Sequence, residues 1–355
     1  MLSRRYCYWF FCRRKIKRDV YFESFMKWLS LTGFPLTSET HPQSYVVQKI
    51  IMIKSYAKSV TALLLFVFSI IAAAAWYFSH QLLYPGIYPC NQEHYVFCDS
   101  PSEIGLSYED VSLETADDIH LKGWFVPGSK ADQGVVLVHG RGATRHEGLR
   151  DSIALHGQGF NLLLIDLRNS GSSQKSYNSM GFHEVKDVHT GVEYLKDRGI
   201  SNIGVVGYSM GATTSIMAMS ENKQIKAGWF DAGFSDLNTI ILEAGERDFN
   251  LPKMNWFSGL VRFFYEWRGD LETIQSAPVN VISKISPRPV MIVHGTADRV
   301  VDVSHGKRLY EAAQEPKSLW IVPEGRHTRT WQADKEKSSR LISEFFNKGL
   351  SEAGV

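Results

Sequence analysis

Gly207-Tyr208-Ser209-Met210-Gly211 is the stretch from which the rest of this 355-residue chain can be read. Ile203-Gly204-Val205-Val206 precedes it, short and apolar enough for a buried strand, and the small-residue run Ala212–Met219 follows it as a helix. A G-x-S-x-G pentapeptide on a strand-turn-helix corner is the setting of a nucleophile elbow. The tight turn strains the serine backbone and lifts the hydroxyl clear of the sheet. Glycines on either side let strand and helix pass closely. The helix start aims unpaired N–H groups and a positive dipole end at any oxyanion formed there. A bare G-x-S-x-G also occurs in ordinary Gly-rich turns, so the reading needs partners elsewhere in the chain.

A serine hydroxyl is a poor nucleophile until a base takes its proton, and that base needs a third group to orient it. Both partners are expected just after the carboxyl ends of later strands. Val290–His294 reads as a strand whose exit loop, Gly295-Thr296-Ala297-Asp298, carries an acid; Leu319–Val322 reads as another, followed by Glu324-Gly325-Arg326-His327-Thr328. Taken alone, Asp298 is a turn or capping aspartate and His327 a loop histidine. Taken together they complete the order Ser, Asp, His that this strand context expects. Asp302 and Asp231 are the substitute acids. A tetrahedral intermediate needs two fixed donors; the Met210 backbone N–H supplies one, and the Arg141 N–H in His139-Gly140-Arg141-Gly142 the other.

From about residue 105 strands alternate with helices. Tyr108–Glu114 and Ile119–Val126 form a hairpin; Gly134–His139, Phe160–Asp166, Lys226–Asp231, Pro289–His294 and Ser318–Pro323 are further strands; residues 145–157 and 183–198 are helical. This is the pattern of an α/β domain, a mostly parallel sheet with helices on both faces. The insertion 233–284 carries Phe234, Phe249, Trp256, Phe257, Phe263, Phe264, Tyr265 and Trp267, either an apolar cover over an acyl substrate or rings packed into core.

The first 104 residues are different. Ser59–Leu83 contains no Asp, Glu, Lys or Arg and exceeds the roughly 20 residues that cross a bilayer. It reads as one transmembrane helix. Residues 1–58 hold Arg4, Arg5, Arg13, Arg14, Lys15, Lys17, Arg18, Lys27, Lys49, Lys54 and Lys58 against Asp19, Glu23 and Glu39. The positive-inside rule places this basic segment in the cytoplasm and the remainder across the membrane. The segment reads as a basic tail that sets orientation, or alternatively as a cationic stretch lying on a membrane surface. Cys7 and Cys12 read as free thiols or acylation sites. Residues 84–104 are an irregular connector whose Cys90 and Cys98 either form a disulfide, permitted on the far side of the membrane, or stay unpaired. A formal net charge of +2 implies no polyanionic partner, and so no nucleic acid. No metal-ligand spacing, P-loop or dinucleotide fingerprint implies a cofactor.

His139-Gly140-Arg141-Gly142, Asp166-Leu167-Arg168-Asn169-Ser170-Gly171-Ser172, the elbow, His294-Gly295-Thr296-Ala297-Asp298 and Gly325-Arg326-His327 together resemble the α/β-hydrolase superfamily. The likeness is to its serine-aminopeptidase-like branch and its single-span membrane-anchored members. It covers residues 105–350. The resemblance implies an eight-stranded sheet with a small cap, a triad at Ser209, Asp298 and His327, and an oxyanion hole at Arg141 and Met210. The resemblance covers esterases and peptidases alike and is poorly specific for substrate; the expected activity is that of an esterase, lipase or thioesterase on an acyl or lipid-like substrate at a bilayer. The alternatives are a peptidase, a catalytically silent membrane-tethered binding module, and a reversed topology with a cytoplasmic domain.

Overall fold

A computed structural model describes residues 42–275 and 277–351. Residues 1–41, with Cys7 and Cys12, lie outside the described residues. The chain divides into two units, 1–68 and 69–355.

The described part of the first unit belongs to helix α1, Pro42–Leu83, which continues into the second. The helix starts well before the apolar run at Ser59. Lys49, Lys54 and Lys58 mark the end of an apolar stretch but do not break a helix, whereas Pro42 is tolerated in a first turn. Over Tyr45–Leu83 the mean hydropathy of the most apolar window is 2.2, and Leu63–Phe68 are exposed, so this helix is long and apolar enough to cross a membrane. It stops at Leu83, just ahead of Pro85, a residue that cannot continue a helix. The connector is more ordered than its sequence suggests. Asn91 caps a single helical turn, Gln92–Tyr95; Cys90 and Cys98 are joined as a disulfide; and Glu103 accepts the N–H groups of Cys98 and Asp99.

In the second unit eight strands among the described residues form one sheet: β1 Glu109–Glu114, β2 His120–Val126, β3 Gln133–Val138, β4 Asn161–Asp166, β5 Asn202–Tyr208, β6 Ile225–Asp231, β7 Val290–Gly295 and β8 Lys317–Val322. Their order is β1-β2-β4-β3-β5-β6-β7-β8; β2 runs antiparallel to both β1 and β4, and every later pairing is parallel. Side chains of successive strand residues point to opposite faces. Val136, Val138, Leu163 and Ile165 therefore pack on one side with Val188, Val192 and Ile216, while Val135, Leu137, Leu162 and Leu164 pack on the other with Leu149, Ile342 and Phe346. The helices that cover these faces are α2 Leu149–Gly157, α3 Val185–Asp197, α4 Met210–Glu221, α7 Val303–Ala312 and α8 Lys335–Ser351. The helix expected over 145–157 opens as a 3-10 turn, Arg145–Gly148, before α2 begins.

Between β6 and β7 the insertion folds as two helices, α5 Leu237–Phe249 and α6 Asn255–Gly269, then short turns through Ile285. Asp236 caps α5 by accepting the Thr239 N–H. The rings of the insertion divide by environment: Phe234 and Tyr265 are buried, Phe257 and Phe264 half-buried, and Phe249, Trp256, Phe263 and Trp267 exposed. Neither pure core nor pure cover describes them.

Candidate active site

The elbow is a close crossing of two elements. Strand β5 runs through Tyr208 and α4 starts at Met210, leaving Ser209 as the N-cap at φ 52° and ψ −117°. Few non-glycine residues adopt this region, and Ser209 is held there by its N–H, which donates to the Asp231 carbonyl at 2.8 Å. The flanking glycines are required by space. A Cβ at Gly207 would lie 2.4 Å from the Gly211 carbonyl oxygen, and one at Gly211 would lie 2.1 Å from that of Val138.

The side chains of Ser209, His327 and Asp298 form one hydrogen-bonded chain. Ser209 Oγ is 2.8 Å from His327 Nε2, and His327 Nδ1 is 2.7 Å from Asp298 Oδ2. An ionised carboxylate only accepts, so Nδ1 carries the proton and the Nε2 lone pair faces the serine hydroxyl. Asp298 is buried, and its Oδ1 accepts the N–H groups of Val300 and Val301. Burial acts to raise its pKa, but the hydrogen bonds from His294, His327 and the Val301 N–H outweigh burial and hold the carboxyl well below the usual carboxylate range. The two substitute acids are engaged elsewhere: Asp302 caps α7 through the Ser304 N–H, and Asp231 accepts the Thr330 hydroxyl.

The loop after β3 runs beside the serine, with a Cβ built on Gly140 only 3.2 Å from that of Ser209. Among the described residues no hydrogen bond occupies the backbone N–H of Arg141 or of Met210. Gly140 differs, since its N–H donates to Glu147 Oε2 at 2.8 Å. The loop is braced from several sides. His139 Nδ1 donates to the Gly140 carbonyl while its Nε2 accepts the Leu167 N–H, which makes this histidine neutral and fixes its tautomer. The Tyr88 N–H donates to the Gly142 carbonyl, and the Arg141 guanidinium donates to the Gln81 carbonyl in the last turn of α1. Asn178 donates its backbone N–H to the Leu83 carbonyl and its side-chain amide to Met210 Sδ.

Four of these residues have no role in the sequence reading: Glu147, His139, His294 and Asn178. His294 lies beside the carboxylate, with Nε2 3.4 Å from Asp298 Oδ2 and 2.9 Å from the Val301 carbonyl. Burial acts to lower its pKa, but the contacts with Asp298 and Val301 prevail and raise it. The strand-end pattern flags His139 and His294 by position, whereas nothing local flags Glu147 or Asn178. Among the described residues no cluster of His, Cys, Asp and Glu could hold a metal ion.

An eight-stranded, mostly parallel sheet with a strained serine at the β5–α4 corner defines an α/β-hydrolase. The model of the prolyl oligopeptidase family matches residues 149–353, and the chain belongs to that family. It is 26% identical over 261 residues to the uncharacterized protein YqkD of Bacillus subtilis, covering 70% of this chain and 84% of YqkD. It is 26% identical over 289 residues to the α/β hydrolase domain-containing protein WAV2 of Arabidopsis thaliana, covering 76% and 88%. Among solved structures, the Pyrococcus furiosus esterase Pf2001 superposes with a TM-score of 0.61 at 27% identity, covering 76% of this chain and 98% of the esterase. The chain is thus a hydrolase of the esterase and peptidase type.

Proposed function

We propose that the chain is a membrane-anchored serine hydrolase that cleaves acyl esters or thioesters through an acyl-enzyme. The observation that carries this reading is the chain Ser209–His327–Asp298, at 2.8 and 2.7 Å. Ser209 Oγ attacks the carbonyl carbon as His327 Nε2 takes the hydroxyl proton. Asp298 keeps the imidazole oriented and stabilises the imidazolium. The Arg141 and Met210 N–H groups receive the oxyanion. Collapse of the intermediate breaks the bond to the leaving group, which takes the proton from His327. Water then attacks the acyl-enzyme with His327 again as base, releasing the acid and restoring Ser209.

The anchor is the apolar helix, with residues 59–83 as the span, residues 1–58 on the cytoplasmic side and the hydrolase domain, 105–350, across the membrane. The basic excess before the span supports this orientation, as does the Cys90–Cys98 disulfide in the connector. Esterase action is favoured by the likeness to Pf2001 and by the exposed rings of the 233–284 cap. A peptidase is the second reading, favoured by the family's oligopeptidase members. Assaying purified full-length protein on p-nitrophenyl esters and on aminoacyl and prolyl anilides separates the two. Ester turnover that disappears in Ser209→Ala supports the proposal. Anilide turnover alone selects the peptidase. Neither activity, in a folded protein, leaves a tethered binding module.

A further inference from the structure

A cavity of about 380 Å³ lies beside the loop that carries Arg141, and one of its walls is the distal end of α1. Phe78 and Leu82 of that helix line it together with Leu242 of α5 and Phe257 and Val261 of α6. Rings lock the wall to the cap: Phe78 meets Phe249 edge-on at 4.8 Å and Phe257 at 5.9 Å. Outside the cavity, Trp76 packs on Phe264 and Trp267, and Arg268 reaches Ser79 and the Trp76 carbonyl. Trp76, Trp256, Phe263 and Trp267 are exposed around this junction. Such rings at the end of an apolar helix match the aromatic belt of a bilayer surface.

We propose that this cavity holds the hydrocarbon chain of an ester drawn from the bilayer, with the membrane helix itself forming one side of the substrate site. The proposal rests on the hydrolase reading of Ser209. Three features favour a hydrocarbon occupant. Most charged donors of the lining are engaged, Arg247 with Asp248 at 2.7 Å and Arg141 Nη2 with the Gln81 carbonyl at 2.6 Å, while the buried Arg141 Nε has no partner. A peptide would bring N–H and carbonyl groups that need partners once desolvated, and an alkyl chain brings none. Arg141 joins the cavity to the site, because it lines the cavity while its backbone N–H, without a hydrogen-bond partner among the described residues, belongs to the loop beside Ser209. A carbonyl seated there directs its chain along the Arg141 side chain toward Phe78 and Leu82. Entry past the distal end of α1 would admit the chain sideways from lipid, without passage through water.

Gly245 and Gly86 line the cavity, and a Cβ at either meets no atom within 4 Å. Gly245→Phe and Gly86→Leu therefore fill the space without a backbone collision. The test uses full-length protein in phospholipid nanodiscs and p-nitrophenyl esters from acetyl to dodecanoyl. In wild type, kcat/KM should climb about fourfold per methylene until the cavity is full, the increment expected for burying one CH₂. The dodecanoyl-to-acetyl ratio should fall at least about 30-fold in Gly245→Phe and Gly86→Leu, two to three methylenes' worth of that increment. It should be unchanged in Gly259→Leu, whose open position on α6 lies outside the cavity. A flat wild-type profile, or a ratio that moves equally in all three variants, overturns the assignment. A second readout needs no catalysis: 12-bromododecanoic acid should quench tryptophan fluorescence saturably in Ser209→Ala, and that saturable phase should vanish in Ser209→Ala/Gly245→Phe. If wild type hydrolyses no ester but this pattern holds, the hydrolase reading fails and the cavity's ligand class stands. If no saturable phase occurs in Ser209→Ala, the cavity assignment fails.

Discussion

Replacing Glu147 probes how the proposed oxyanion loop is held. The carboxylate is fully buried; Oε2 accepts the Gly140 N–H at 2.8 Å, and Oε1 lies 3.8 Å from both Arg150 Nη2 and His94 Nε2. Burial acts to raise its pKa, but Arg150, His94 and the Gly140 N–H prevail and keep it ionised below the usual range. Arg150 is buried over the Tyr208 ring, its guanidinium nitrogens lack hydrogen-bond partners, and Asp151 is its other carboxylate at 3.7 Å. Glu147→Ala removes one member of a buried ion cluster, a change that typically costs about 3–5 kcal/mol of stability. It also frees Gly140, so the Arg141 N–H should drift from its proposed oxyanion position. Losing one such donor lowers kcat by about 10²–10³-fold, and partial displacement should give about 10²-fold with KM nearly unchanged. Glu147→Gln keeps a carbonyl oxygen for the Gly140 N–H but no charge for Arg150. It should lose stability like the alanine variant while retaining kcat within a fewfold. Thermal unfolding followed by circular dichroism, and ester kinetics well below the melting temperature, separate the two effects. The reasoning is refuted if Glu147→Ala keeps wild-type kcat, or if Glu147→Gln loses as much kcat as Glu147→Ala.

Three further outcomes follow from the same geometry. Asp298→Asn should lower kcat by about 10⁴-fold by favouring the wrong tautomer of His327, with little change in KM; Asp302 cannot compensate, because it caps α7. Asp231 is buried with Oδ1 unpaired, and burial pushes its carboxyl up to about 6 from 3.8. A raised folded-state pKa contributes stability below the unfolded pKa and loses it as pH rises through about 6. Asp231→Asn should therefore stabilise the fold by about 3 kcal/mol at pH 8 relative to pH 4, since each pH unit between 3.8 and about 6 is worth about 1.4 kcal/mol. Denaturant melts at the two pH values read the difference. Cys90→Ser with Cys98→Ser should cost about 2.5 kcal/mol by releasing a short closed loop. Thiol titration of a Cys7→Ser/Cys12→Ser variant unfolded without reductant should find no reactive thiol; two reactive thiols would instead support a cytoplasmic domain.

The architecture is legible from periodicity because the central strands are buried on both faces and read as unbroken apolar runs. Predicted strand ends shift by only a residue or two, at polar edge positions such as Gln133 and Lys317. Asp298 and His327 are legible as partners because loops at the carboxyl ends of neighbouring parallel strands meet at one edge. The bracing of that edge is not. Glu147 is a charged residue in a stretch rich in charge, and its burial follows from tertiary packing against Arg150 and Gly140. The start of α1 at Pro42 is invisible to a hydropathy reading, since lysines that end an apolar run are good helix formers. The links from Gln81 and Leu83 to Arg141 and Asn178 join segments about 60 and 95 residues apart, beyond the reach of any local pattern.

Fluorophosphonate labelling of the full-length protein in membranes tests the central claim most directly, because the probe reacts only with a serine whose proton is taken by a poised base. Wild type should label at one site, with labelling abolished in Ser209→Ala and strongly slowed in His327→Ala. Labelling that persists in Ser209→Ala, or a folded wild type that does not label, would contradict the assignment of Ser209 as an activated nucleophile.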